Sequence, residues 1–277
     1  MRGASYIPGH ALNILILLLL SRCHHSLGGG FHPAFARCKL TSPSGVVHRT
    51  RTGRIDASSL EPENSRFGRQ DYWNAFYEEE ANFTWYAGWD ELQPFVQEFV
   101  DTTGKILIPG VGNDAMLVDM YDDGFQELIA MDYAPEGIAR CRDLLGPTRV
   151  WSDNQDTGVV LVVADARNLT GVFNDDSFDV VIEKGTLDAI YLSGGQDKML
   201  ADRNLNLAIS ELGRCVKPGG IWISIAAVVD NQIQASFDTG EEWSCLVKKD
   251  DLYTTSDGYT SNNIDGSLMV WQRKEAI

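Results

Sequence analysis

The feature that most restricts this chain is a strand-turn-helix junction. The apolar run from Lys105 to Pro109 breaks at Gly110-Val111-Gly112-Asn113-Asp114, and a helical pattern begins at Ala115. Two glycines in that turn let a ligand approach the backbone closely, because a Cβ at either place would occupy the space. The next apolar run, Glu127 to Asp132, ends in a carboxylate 20 residues beyond Gly112. Short apolar runs alternating with helical patterns are the rhythm of a βαβ fold, in which ligands bind at the carboxyl ends of the strands.

The rhythm continues along the chain. Further strands are predicted at Val159 to Ala164, Phe178 to Glu183 and Ile221 to Val228. Between the strands, Ala115 to Asp122 carries Met116 and Met120 on one face, Pro135 to Leu145 carries Ile138, Cys141 and Leu145, and Leu205 to Val216 carries Leu205, Ile209 and Leu212. These stripes are core. Lys217-Pro218-Gly219-Gly220 reads as the stop of a helix and the start of a strand, since proline cannot continue a helix and glycine tolerates the reversed backbone. After Val228 the pattern changes. Trp243 to Lys248 and Leu268 to Arg273 read as two strands joined by a long polar loop, hence an antiparallel pair at the sheet edge. The expected fold is α/β, a Rossmann-like mixed sheet with helices on both faces.

Polar residues recur where these strands end. Asp132 can accept hydrogen bonds from both ribose hydroxyls of an adenosine, and Tyr133 beside it can lie against the adenine face. Gly110, Gly112 and Ala115 also satisfy the relaxed dinucleotide pattern, so the loop alone leaves an NAD-dependent oxidoreductase open. Two later strand ends narrow the choice. One carries Ala164-Asp165-Ala166, where Asp165 can accept from the adenine amino group. The other carries Glu183 followed by Lys184-Gly185-Thr186-Leu187-Asp188-Ala189, which puts Glu183 at the reacting end of a cofactor. The structural alternatives are a helix cap for Asp165 and Asp188 and a solvated strand end for Glu183.

These segments resemble the class I S-adenosylmethionine-dependent methyltransferases, particularly the eukaryotic group that methylates lysines of translation elongation factor 1 alpha and citrate synthase. Asp71-Tyr72-Trp73, Tyr77 and Trp85-Tyr86 look like that group's aromatic lead-in, Ile106 to Asn113 resembles its glycine loop, and Lys184 to Ala189 matches its most distinctive motif. The similarity runs from about Gln70 to Arg273. Val111 stands where the group commonly has cysteine, and Glu183 replaces the aspartate that usually precedes the lysine and glycine. The resemblance implies a seven-stranded sheet whose last strand inserts antiparallel. It also implies S-adenosyl-L-methionine held by Gly110, Gly112, Asn113, Asp132, Tyr133, Asp165, Ala166 and Glu183, with Trp73 and Tyr77 closing over it. Those two aromatics otherwise read as core of an amphipathic helix. Glu183 and Asp188 are the candidates for removing a proton from a lysine nucleophile.

Charge divides the chain. Residues 1–55 hold seven basic residues and no acid, whereas the remainder has 16 basic against 39 acidic residues, a net −23. The acidic body repels nucleic acid and favours a basic protein as partner. Ala11 to Leu20 is too short to span a membrane but fits the core of a signal peptide, and the acid-free stretch after it has transit-peptide composition. The expected organisation is a targeting leader at 1–55, a helical, aromatic-rich lead-in at 56–104 and a methyltransferase domain at 105–277. A two-part leader points to a plastid, with a mitochondrial address, or a cytoplasmic one if the leader is not real, as alternatives. Five cysteines without a CxxC pair indicate no zinc site. The expected activity is methylation of a protein lysine. The alternatives are a small-molecule methyltransferase, a catalytically inactive cofactor-binding scaffold and the oxidoreductase already named.

Overall fold

The computed structural model describes residues 63–80, 82–153, 157–238, 241–249 and 266–275. The predicted leader and the polar loop at 250–265 lie outside them. A 3-10 turn, Glu63–Gly68, leads into α1 (Gln70–Glu79) and α2 (Trp89–Phe99). There follow β1 (Ile106–Pro109), α3 (Met116–Asp122), β2 (Leu128–Asp132), α4 (Pro135–Leu145), β3 (Val160–Val163) and β4 (Phe178–Lys184). The rest comprises α5 (Thr186–Leu192), α6 (Lys198–Cys215), β5 (Val216–Ala226), α7 (Asp230–Asp238), β6 (Trp243–Lys249) and β7 (Ser267–Arg273).

The seven strands form one sheet in the order β3-β2-β1-β4-β5-β7-β6. The first five are parallel, and β7 runs antiparallel between β5 and β6. The predicted edge pair is therefore present, with the last strand inserted inside it. Side chains alternate across the sheet as the two-residue strand period requires. Ile106, Ile108, Ile221, Ile223, Leu268 and Val270 pack under Trp89, Leu92, Met116, Met120, Ile138 and Cys141 on one face. Leu107, Trp222, Met269 and Trp271 pack under Leu187, Leu205, Leu212, Ile233 and Phe237 on the other. Strands covered on both faces become continuously apolar, which is why their sequence shows runs instead of alternation.

Three elements differ from expectation. Helix α6 begins at Lys198, capped by the Asp197 side chain accepting from the Leu200 amide at 3.1 Å, well ahead of the predicted Leu205. Strand β5 begins at Val216 and absorbs the Lys217-Gly220 segment. Val216 pairs with Phe178, pairing resumes at Ile221 with Val180, and the residues between bulge outward with Gly219 at φ +77°. Pairing on either side holds the bulge within the strand. Helix α7 has no counterpart in the sequence reading. Among the described residues no helix is long and apolar enough to cross a membrane.

Candidate active site

The site is built at the carboxyl ends of β1, β2, β3 and β4. The chain leaves β1 through Gly110 and Gly112, both in the left-handed region at φ +62° and +59°. Only glycine adopts that conformation without strain. The predicted space above the two glycines is taken by protein. A Cβ at Gly110 would overlap the Thr186 side chain, whose hydroxyl donates to the Pro109 carbonyl at 2.8 Å. One at Gly112 would stand 2.9 Å from the Tyr77 hydroxyl. The glycines thus admit α5 and α1 to the loop, a role that spacing alone does not reveal.

Asp132 closes β2 and is buried. Its carboxylate accepts from the Gly112 amide at 2.8 Å and the Ala134 amide at 2.7 Å, and the Tyr77 hydroxyl interacts with it. Burial pushes its pKa up to about 6, against the pull of those donors. A carboxylate offers about four lone-pair positions, and the amides of Gly112, Ala134 and Tyr133 and the Tyr77 hydroxyl all bear on them. Behind the loop, the Cys141 thiol donates to the Gly112 carbonyl at 3.0 Å.

Beside Asp132, the Tyr133 ring, Asp165 and Arg167 form a ledge. Arg167 binds the Asp165 carboxylate through two nitrogens, the closer at 2.7 Å, and its guanidinium lies 5.9 Å from the Tyr133 ring centroid. Burial raises the Asp165 pKa, but the Arg167 hydrogen bonds and charge outweigh it and leave the carboxyl below its usual range. Ala166 is buried between them. Arg167 escaped the sequence reading because an arginine two residues past a strand-end acid carries no spacing signal.

At the end of β4 the side chains part across the sheet. Lys184 turns to the α1 side, where its ammonium meets Asp114 Oδ2 at 2.5 Å and the Trp85 carbonyl at 2.7 Å. Both partners of this ion pair are buried, so it ties the glycine loop to β4. Glu183 turns to the opposite face and is fully buried. It accepts from the Ser224 hydroxyl and, at 3.3 Å, from the Leu187 amide. Burial, with Asp188 adding repulsion, pushes its pKa up to about 8. Asp188 is buried too. Burial raises its pKa, while its carboxylate accepts from Tyr86 Oη at 2.7 Å and from the amides of Ala227, Val228 and Val229 at 2.9–3.0 Å. The expectation that either carboxylate takes a proton from substrate does not match this geometry. Glu183 faces the interior, and Asp188 is saturated by donors that join α5 to the start of α7. Glu183 is thus not a solvated strand end, and neither carboxylate stands open as a base.

The lead-in covers the site. Trp73 stacks on Tyr77 with ring centroids 5.8 Å apart, and Phe76, Phe83, Trp85 and Tyr86 continue the row of rings. Trp73 is half-buried and donates to the Phe67 carbonyl at 2.9 Å, so it serves the packing of the lead-in itself. Thr84 donates to Asp114 at 3.0 Å, and Gln70 to the Tyr133 carbonyl at 2.7 Å. Asn113 is buried at 1% exposure. Its amide nitrogen donates to the Glu80 carbonyl at 2.6 Å, but its oxygen Oδ1 has no hydrogen-bond partner. A buried acceptor left without a donor costs about 1–3 kcal/mol.

Residues 107–224 match the family model described as the methyltransferase domain. Residues 107–224 are thus similar to a methyltransferase domain. The matched span includes the glycine loop, Asp132, Asp165 and the Lys184-Ala189 motif. The chain is 25% identical over 206 residues to an eEF1A lysine and N-terminal methyltransferase homolog of Drosophila melanogaster, covering 74% of this chain and 29% of that protein. It is 27% identical over 182 residues to EEF1A lysine methyltransferase 4 of Mus musculus, covering 62% of this chain and 66% of that one. The chain thus spans less than a third of the length of the Drosophila relative. Among solved structures, the chain shares its fold with the 4+2 cyclase SpnF at TM-score 0.52 and 15% identity, over 76% of this chain and 97% of that one. A cyclase on the same fold shows that architecture alone does not fix the reaction.

Proposed function

We propose that this chain binds S-adenosyl-L-methionine and transfers a methyl group to a lysine side chain of a basic protein. The observation that carries the reading is the pairing of a buried Asp132 carboxylate with the Gly112 amide, beside an Asn113 oxygen that is buried without a partner. A ligand with ribose hydroxyls and an ammonium group fits these acceptors. Asp132 would hold the ribose, the Tyr133-Asp165-Arg167 ledge the base, and the Gly110-Asn113 turn the amino acid end. When bound, the cofactor supplies a methyl group already activated on a sulfonium. The chain's own task is then to position an amine in line and to exclude water. Lys184, held by Asp114, fixes the loop, and Tyr86, held by Asp188, fixes the wall opposite. With Glu183 and Asp188 both engaged, desolvation on entering the covered site favours the neutral amine, whose proton passes to solvent water as the side chain leaves it. The relatives' names support lysine as the acceptor, as does the excess of acid.

Calorimetric titration of the full chain with S-adenosylmethionine, S-adenosylhomocysteine and NAD tests the cofactor. Incubation with labelled cofactor and cell extract, before and after a size filter, tests the acceptor. Binding of NAD alone overturns the proposal. Label confined to the small-molecule fraction, or to a protein residue other than lysine, overturns the lysine assignment.

A further inference from the structure

Helix α6 buries Ala201, Leu205, Ala208, Leu212 and Cys215 against the sheet and turns a second stripe to solvent. Met199 is 84% exposed, and Leu200 and Leu207 are 42% exposed each. Met199 and Leu207, with Asp202, Arg203 and Asn206, line a shallow hollow. Arg203 makes no ion pair among the described residues. Three large apolar side chains on one outward face, at helical spacing, form a contiguous surface that water penalises.

The order of residues along this stripe identifies its occupant. It reads apolar at Met199 and Leu200, acidic then basic at Asp202 and Arg203, and apolar again at Leu207. A two-fold axis passing beside the 202–203 step brings an antiparallel copy of α6 onto the first. Met199 of each copy then lies opposite Asn206 and one residue from Leu207 of the other, and Asp202 of each meets Arg203 of the other. The stripe is complementary to itself, as an isologous interface must be. A binder of different sequence would have no reason to match both the apolar ends and the central charge pair.

We propose that α6 is a homodimer interface, through which two copies of this chain associate about a two-fold axis. An 18-residue helix is about 27 Å long and by itself offers less than the roughly 800 Å² per partner of a standard interface, so association is reversible and concentration-dependent. Sedimentation velocity of the full chain, from micromolar to submillimolar concentration, tests the proposal. The parent chain is expected to pass from monomer to dimer. Asp202→Arg and Arg203→Asp, each placing like charges together, should each raise the dissociation constant about tenfold or more. The double exchange, Asp202→Arg with Arg203→Asp, should restore it, because the pair is reversed and kept. Met199→Glu should abolish dimers. Thermal melting of each variant confirms an unchanged fold, which substitutions on an exposed stripe should preserve. A parent chain monomeric throughout the range overturns the proposal, as does a dimer whose dissociation constant ignores the charge substitutions.

Discussion

Two buried carboxylates at the ends of β2 and β4 serve different purposes. Asp132 is held among amides that favour its charged form, yet burial keeps its pKa near 6. If it holds the ribose as a charged acceptor, affinity for S-adenosylhomocysteine should be constant at alkaline pH and fall as pH drops through about 6. Calorimetry on the parent chain and on Asp132→Asn checks this. The variant should bind more weakly, by about 1.5–3 kcal/mol, and lose the pH dependence. Glu183 affects stability instead. Its folded pKa of about 8 lies above the ordinary 4.5, so its contribution is fully present below about 4.5 and lost as pH rises through 8. Urea unfolding between roughly pH 5 and 9 should show stability declining with pH in the parent chain, and Glu183→Gln should flatten that decline. A slope unchanged in the variant would assign the loss to other groups. The sequence marked both positions as strand-end acids, but it held no information on which face of β4 would receive Glu183. That face is set by the pleat, which sends Lys184 to Asp114 and Glu183 to Ser224.

At the scale of elements, the turn between β1 and α3 is where local backbone and packing act together. Gly110 has both a positive φ and Thr186 over it, whereas Gly124 has φ +97° with open space around it. Gly124→Ala should therefore cost only the conformational strain, about 1–2 kcal/mol. Gly110→Ala should cost clearly more and also weaken cofactor binding, because α5 must shift to admit the Cβ. Denaturant melts and cofactor titration of the two variants compare these outcomes directly. Elements with strong local signals were readable from the sequence: β1, β2 and β4 as apolar runs, α4 from Pro135 at its start and Ile138, Cys141 and Leu145 along one face. Helix α7 was not, because it is short and its buried residues are Ile233 and Phe237 alone. The start of α7 is organised from a distance, by Asp188 accepting from Val228 and Val229, a contact across some 40 residues. The cover over the site was seen as a row of aromatics, but its seating depends on tertiary contacts such as Asn113 with Glu80 and Gln70 with Tyr133.

At the scale of the whole molecule, the net −23 from residue 56 onward gives the proposed lysine substrate a long-range attraction. The rate of methylation at low concentrations of a basic protein should fall as salt rises, while affinity for the small cofactor changes little. Initial rates at several ionic strengths, measured beside cofactor titrations, separate the two effects. The sheet order has another consequence, for the way the chain is made. Because β7 lies between β5 and β6, a ribosome releases every other strand before it releases the one that joins them. Until Ser267–Arg273 emerges, the inner edge of β5 stands bare and β6 has no partner among the described strands. Nascent chains arrested before residue 267 should expose that edge to protease and chaperone, and those arrested well after residue 273 should be protected. Completion of the sheet is thereby deferred until β7 has emerged, leaving the partly built sheet available to whatever cellular machinery meets it first.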